Sequence, residues 1–316
     1  MGYVFALCAA LLFGANGSVS KVLLDAGLEP AQLTLFRVGG TALIAGAVLA
    51  FANRSALRVG GRQLAVLATM GVVGVALLQF TYAVAITVIP IGITLLMEFT
   101  AVLMVAVVAF FFFHEEVRAR LWIAIALVLI GLAVVAQIWN SELNPFGVIM
   151  AFSAAVCLAT YFLIGERVMS TSSPMAVAFW SMAAATVFWL LFSGWWNIDP
   201  ALFATPVSLS GNLAAIQLPL IFPLLWNIVL GSFAPFFLSL IALKYLTATA
   251  AGVVSSAEVV FAFAVAWLWL GQGLGPFQVA GVVVVLAGII LAQTARINKV
   301  VLADLAITAE DTDAIV

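Results

Sequence analysis

Ten separate stretches of this chain each run for about 20 mostly apolar residues, the length that carries an α-helix across the hydrocarbon core of a bilayer. They fall at 2–24, 31–52, 63–82, 91–113, 120–138, 145–168, 175–196, 219–243, 247–270 and 276–294. Inside lipid every backbone group must be satisfied within its own segment. Joined by short linkers, such runs can fold only as one bundle of antiparallel helices. The one longer connection, Asn197 to Leu218, is polar and contains proline, and is expected to lie partly along the membrane interface. The residues are 66% hydrophobic and 8% charged, with a mean hydropathy of +1.29. Water-soluble domains carry about a quarter charged residues, so no soluble domain is expected. The first run lacks a basic leader and nine more follow it, so it reads as a retained span and not a cleaved signal.

The basic residues orient the bundle. Arg54, Arg58 and Arg62 lie between spans 2 and 3, Arg118 and Arg120 between 4 and 5, Arg167 at the end of 6, Lys244 between 8 and 9, and Arg296 and Lys299 after 10. The linkers on the other side carry none. Both termini are therefore expected in the cytoplasm, with the protein in the cytoplasmic (inner) membrane and Trp139, Trp195 and Trp196 at the opposite interface. Net charge is −2, and the acidity gathers in a cytoplasmic tail over 295–316 with Glu310, Asp311 and Asp313. This balance argues against nucleic acid as a partner and leaves a small-molecule solute and the lipid bilayer, for a monomer or a homodimer.

One stretch is written twice. Thr87 to Gly92 leads into an apolar run holding a single acid, Glu98, which ends near His114 and Glu115; Thr247 to Gly252 leads to Glu258, in a run that ends near Gln272. The likeness extends backward, with Gly2–Ser20 resembling Gly147–Gly165 and Pro30 with Phe36 resembling Pro174 with Trp180. Each half then holds five spans, and an odd number turns the second half upside down. Loop charge agrees: 117–120 is basic where its counterpart 274–277 is uncharged, and the loop before span 9 carries Lys244 where that before span 4 carries no charge. The expected fold is an all-α integral membrane protein, ten transmembrane helices as two inverted five-helix repeats over 1–139 and 145–294. The register is imperfect, because Glu98 precedes Glu115 by more residues than Glu258 precedes Gln272.

This arrangement resembles the EamA type of the drug/metabolite transporter superfamily. The likeness is carried by Phe13 to Gly17 with Lys21, Pro30 and Leu35 to Arg37, Gly92, Phe113 to Glu115, Ala250 to Gly252, Glu258, Leu270 to Gly273, and Gly281 with Gly288. The sequence departs from the family at Gln272, where an acid is usual, and at Phe99 and Val259, where proline is common. The resemblance implies ten spans in two inverted repeats and transport of amino acids, other metabolites or drug-like compounds, with export the commoner direction.

An acid at the bilayer centre costs about 2.5 to 3.5 kcal/mol, so it has a partner, carries a proton or serves a function. Glu98 and Glu258 are candidates for coupling solute movement to protons, with a structural acid bonded to Arg37 or a neighbouring helix as the alternative. Helical spacing puts Ser255 beside Glu258, Thr94 beside Glu98, Gln79 beside Tyr82 and Asn16 beside Ser20. Asn16, Gln79, Tyr82, Glu98, Ser255 and Glu258 are therefore expected to face a cavity, joined by Tyr161 and Trp180 at the repeat positions of Asn16 and Phe36. For Ser20 and Ser255 helix packing is the simpler reading. Arg37 keeps its charge and must reach an acid, a carbonyl, water or an anionic part of a solute. Lys21 either snorkels to the headgroups or closes a gate with Asp25 or Glu29.

Other chemistry finds little support. Cys8 and Cys157 lie within apolar runs, and the single histidine, His114, makes neither a metal pair nor a triad, so neither metal nor cofactor is expected and no enzyme is read. The reading is a secondary active exporter of small organic solutes such as amino acids, working by alternating access with proton coupling through Glu258 or Glu98. A multidrug exporter of the same fold, or a non-transporting sensor or assembly subunit, stands as the alternative.

Overall fold

The computed structural model describes residues 1–52, 54–112, 119–137, 139, 143–270 and 275–294. His114, Glu115, Arg118, Gln272 and the acidic tail, with the expectations attached to them, lie outside the described residues. The chain is mostly helical. Eight helices are long and apolar enough to cross a membrane: α1 (Gly2–Asp25), α2 (Pro30–Ala52), α3 (Gly61–Val88), α4 (Ile91–Phe112), α6 (Pro145–Met169), α7 (Pro174–Phe192), α8 (Ile221–Tyr245) and α9 (Ala248–Trp269). Two more, α5 (Ala119–Ala136) and α10 (Pro276–Thr294), hold shorter apolar stretches.

Proline sets many of the starts, since its missing N–H is no loss in the first turn. It opens α2, α6, α7 and α10 and sits just before α4 at Pro90. Side chains cap other orphan donors: Asn144 Oδ1 accepts from Phe146 N at 2.9 Å, and Glu166 Oε2 accepts from Ala248 N at 2.7 Å. Two ends differ from the sequence expectation. Helix α3 continues through the apolar residues to Val88, beyond the expected 82, and α7 stops at Phe192 because Gly194 turns left-handed (φ 65°) and Trp195–Asn197 forms a separate 3-10 turn.

Four helices are interrupted. In α3 the turn Val72–Leu77 is π-helical, and in α8 so is Val229–Phe233. Such a turn carries one extra residue and often marks a functional region. Helix α4 breaks after Ile91–Glu98 and resumes at Ala101; α9 breaks after Ala248–Ser255 and resumes at Ala257.

The helices pack in a regular scheme. α2 lies against α7 and α5 against α10, while α1 packs on α8 and α9, and α6 on α3 and α4. Small residues allow the close approaches: Gly131 of α5 meets the backbone at Gly281 and Val285, and Gly288 of α10 meets that at Ala124.

The connection between α7 and α8 is folded, where the sequence suggested only a polar interfacial segment. Two short strands, β1 (Pro206–Ser208) and β2 (Gln217–Pro219), pair antiparallel with Val207 opposite Leu218. The ribbon is held to the end of α9 by Trp269 Nε1, which donates to Leu209 O at 2.8 Å, and by Asn212 Nδ2, which donates to Leu268 O at 3.0 Å. Beneath it, Leu23, Leu28, Leu33, Leu220 and Leu224 form a small core with Phe203, whose ring meets Phe36 edge-on at 5.6 Å.

Candidate functional site

A narrow, partly open cavity of about 680 Å³ lies in the middle of the bundle. Seven helices wall it: Phe13, Asn16 and Gly17 from α1, Arg37 from α2, Leu78, Gln79 and Tyr82 from α3, Glu98 and Phe99 from α4, Leu158, Tyr161 and Phe162 from α6, Phe236 and Ser239 from α8, and Ser255 and Glu258 from α9. Apolar walls with a few placed polar groups are the usual make-up of a small-molecule site.

The spacing of each stripe explains why these side chains meet. Residues three or four apart share a helix face, which brings Gln79 and Tyr82, or Ser255 and Glu258, to the cavity together. The two acids reach it differently. Glu98 is the last residue of the eight-residue first segment of α4, and its counterpart at the end of the eight-residue first segment of α9 is Ser255. Glu258 lies one turn further along, beyond the break. The two acids thus stand on different sides of the break in their helices.

Polar atoms in and behind the walls divide into the satisfied and the unsatisfied, and Asn227, which is not itself a lining residue, has one of each, its Oδ1 being buried without a partner. Asn227 of α8 is fully buried; its Nδ2 donates to Asn16 Oδ1 at 3.0 Å and to Ser20 Oγ at 2.9 Å. Arg37 Nη2 donates to Gly231 O at 3.0 Å, and Thr41 Oγ1 to Ser232 Oγ at 3.1 Å, both acceptors lying in the π-helical turn of α8. In contrast Arg37 Nε, Glu98 Oε2 and both polar atoms of the Gln79 amide are buried with no hydrogen-bond partner. Arg37, Glu98 and Glu258 form no ion pair within 4.0 Å among the described residues. Unpaired polar groups in so apolar a setting are costly, and all four residues that carry them or their charge point into one space.

The π-helical turns stand against this site from opposite sides. Gly231 in α8 lies so close to Asn16 that a Cβ there would overlap the amide, while Gly74 in the α3 turn lies against Tyr161, with a Cβ position 3.0 Å from Tyr161 Cα. Asn16 and Tyr161 are the residues that the internal likeness of the sequence pairs.

Toward the end of the bundle bearing the α1–α2 and α3–α4 turns, a second and wider cavity of about 1370 Å³ follows. Gly14, Gly17, Ser18 and Lys21, the segment Ile86–Ile93, Leu95, Ala262, Phe263 and Gln278 line it. On the opposite side of Glu98 and Glu258, Val102, Val253 and Val254 are fully buried and Gly252 packs on Val102 and Phe162.

Of the residues singled out in the sequence, Asn16, Arg37, Gln79, Tyr82, Glu98, Tyr161, Ser255 and Glu258 line the central cavity. Trp180 is not among its walls; it sits on α7, a helix that packs on α2, α3 and α8, with its ring 5.0 Å from Phe179. Lys21 lines the second cavity and lies 3.5 Å from Asp25 one turn along the same helix. A pair within one helix cannot hold two helices shut. Sequence reasoning missed Asn227 and Ser239, although Asn227 is an amide in the middle of an apolar run, the signal that drew attention to Asn16.

A multi-pass helical membrane protein with a polar, charged cavity at its centre is what the fold and the site define. The chain belongs to the EamA-like transporter family, which matches residues 1–137 and again 145–294. It is similar to the threonine/homoserine exporter RhtA of Escherichia coli (strain K12), 26% identical over 212 residues that make up 66% of this chain and 65% of that protein. The same figures hold for RhtA of Salmonella typhimurium (strain LT2). The matched stretch thus spans slightly less than two thirds of these relatives. A solved structure titled "Crystal structure of protein" shares the fold, with a TM-score of 0.73 at 16% identity over 92% of this chain and 96% of the other.

Proposed function

We propose that the chain is a secondary active transporter that exports small zwitterionic solutes, amino acids or related metabolites, by alternating access. The observation that carries this reading is the single cavity in which Arg37, Glu98 and Glu258 converge from three helices with unpaired polar atoms around them. A guanidinium suits the carboxylate of an amino acid, and a carboxyl group on the opposite wall suits its ammonium. The similarity to threonine/homoserine exporters supports an amino acid of modest size.

The proposed architecture is ten transmembrane helices in two five-helix units, 1–139 and 145–294, the second inverted relative to the first. Support comes from the packing scheme, which is unchanged when α1 to α5 are exchanged with α6 to α10, and from the paired interruptions in α3 and α8 and in α4 and α9. Two inverted units around one site can exchange conformations and so present the site to each side in turn. A central cavity continued by a wider one toward one end of the bundle fits one of those two states. With both termini in the cytoplasm, the continued end faces away from it, and Glu258 or Glu98 would carry the coupling proton.

Counterflow in proteoliposomes loaded with L-threonine, L-homoserine or L-phenylalanine tests the reading. Uptake of the matching labelled amino acid is expected for at least one. Absence of exchange across the common amino acids, with the protein folded and correctly inserted, would reject it in favour of a sensor or assembly role. A second reading, a flat aromatic or drug-like solute, is favoured by the six aromatic rings in the walls and would show as preference for phenylalanine.

A further inference from the structure

Three helices each give consecutive turns first to the central cavity and then to the wider one, and α1 borders both. On α3 the succession is Tyr82 then Ile86, on α4 it is Glu98 then Leu95, and on α9 it is Glu258 then Ala262. On α1 one residue belongs to both, Gly17. The two spaces are therefore coaxial, and they meet at Gly17.

On this helix packing explains Gly14 but not Gly17. A Cβ on Gly14 would come within 2.7 Å of Glu258 O and 2.8 Å of Ala262 N, so close contact between α1 and α9 requires that residue to be bare. At Gly17 a Cβ would meet a single atom, the hydroxyl oxygen of Tyr82, at 3.4 Å, an ordinary contact. A side chain fits there as far as neighbours are concerned. What it would fill is the passage.

We propose that Gly17 and Tyr82 form a neck between the central cavity and the wider vestibule, and that the width of this neck sets the largest solute the protein can pass. Tyr82 closes one side with its ring and hydroxyl, and the bare backbone at Gly17 leaves the other side open. The proposal rests on the transport reading for its solute, but the neck itself can be tested without any transport.

The test uses thiol labelling of the full chain in detergent, with Cys8 and Cys157 replaced by serine or alanine and a reporter thiol placed in the central cavity by Ser255→Cys. The probes are the small methanethiosulfonate ethylammonium and a bulky fluorescein maleimide. In this background the small reagent is expected to label and the bulky one to react poorly. Gly17→Val should slow the small reagent by about tenfold or more, because the added isopropyl group fills space that the close-packed walls cannot yield elsewhere. Tyr82→Ala alone should admit the bulky reagent, and Gly17→Val combined with Tyr82→Ala should restore the small one. Unchanged labelling in Gly17→Val with an unchanged melting temperature would overturn the proposal, as would a bulky reagent still excluded from Tyr82→Ala. Should Gly17→Val fail to fold, the Tyr82→Ala arm alone decides. Loss of transport in every assay alongside the expected labelling pattern would reject the transport reading and leave the neck standing.

Discussion

Asn227 reaches across from α8 to Asn16 on α1, amide to amide at 3.0 Å, in a place where Asn227 has no exposed surface. The same Nδ2 also meets Ser20 at 2.9 Å, so one side chain ties two turns of the neighbouring helix. Asn16 in turn lines the cavity, which makes a packing contact also a positioning one. Replacing Asn227 by Leu should lower stability by about 1 kcal/mol, the scale of hydrogen bonds between membrane helices. Unfolding in detergent monitored by circular dichroism would measure it. A variant as stable as the parent would mean that the amide serves the cavity alone.

The glycine beside this pair gives a sharper contrast. Gly231→Ala drives a methyl group into the Asn16 amide and should cost about 1–3 kcal/mol, the range for overpacking a filled interior. Gly61→Ala, with nothing within 4 Å of the added carbon, should be neutral or stabilise by up to about 1 kcal/mol through helix propensity. Melting temperatures of the two variants, measured side by side, should move in opposite directions or only for Gly231.

Arg37 holds its place through Gly231 O, leaving Nε without a partner beside the cavity. If that edge takes a solute carboxylate, Arg37→Lys keeps the charge and loses the planar fork. Affinity for an amino acid should then fall by about tenfold or more, roughly 1.4 kcal/mol, while affinity for the corresponding amide changes little. Competition of counterflow by an amino acid and by its amide would read the difference. Equal losses for both would point to a structural role.

The two acids should part company when changed singly. Glu258→Gln is expected to abolish proton movement driven by a solute gradient while exchange of solute persists. Glu98→Gln is expected to weaken solute binding by about tenfold, near the worth of one charged hydrogen bond, with coupling retained. A pH-sensitive dye inside proteoliposomes, read beside labelled uptake, separates these outcomes. Unchanged proton movement in Glu258→Gln would remove it from the coupling role.

Much of this could be seen in the chain before folding, for reasons that differ by feature. The long helices were legible because a membrane imposes one length on all of them. The cavity residues Gln79, Tyr82, Glu98 and Glu258 stood out because polar groups in apolar runs are costly and therefore few. The π-helical turns at Val72–Leu77 and Val229–Phe233 left no such mark, since one extra apolar residue among apolar residues changes neither composition nor pattern. The breaks after Glu98 and Ser255 were equally silent, and they put Glu98 before a break and Glu258 after one. Trp180 is absent from the lining of the central cavity, and equivalence along the sequence, which fixes a position on a helix, does not fix what that side chain meets.

The folded ribbon between α7 and α8 gives this otherwise lipid-embedded chain a grip. Antibody fragments need a folded epitope, and the paired strands at 206–208 and 217–219 supply one. Because Trp269 and Asn212 fasten that ribbon to the end of α9, while Phe203 seats it on α2, a fragment bound there would clamp helices drawn from both parts of the chain. Such a reagent would serve at once as added mass for electron cryomicroscopy and as a brake that holds the molecule in a single state.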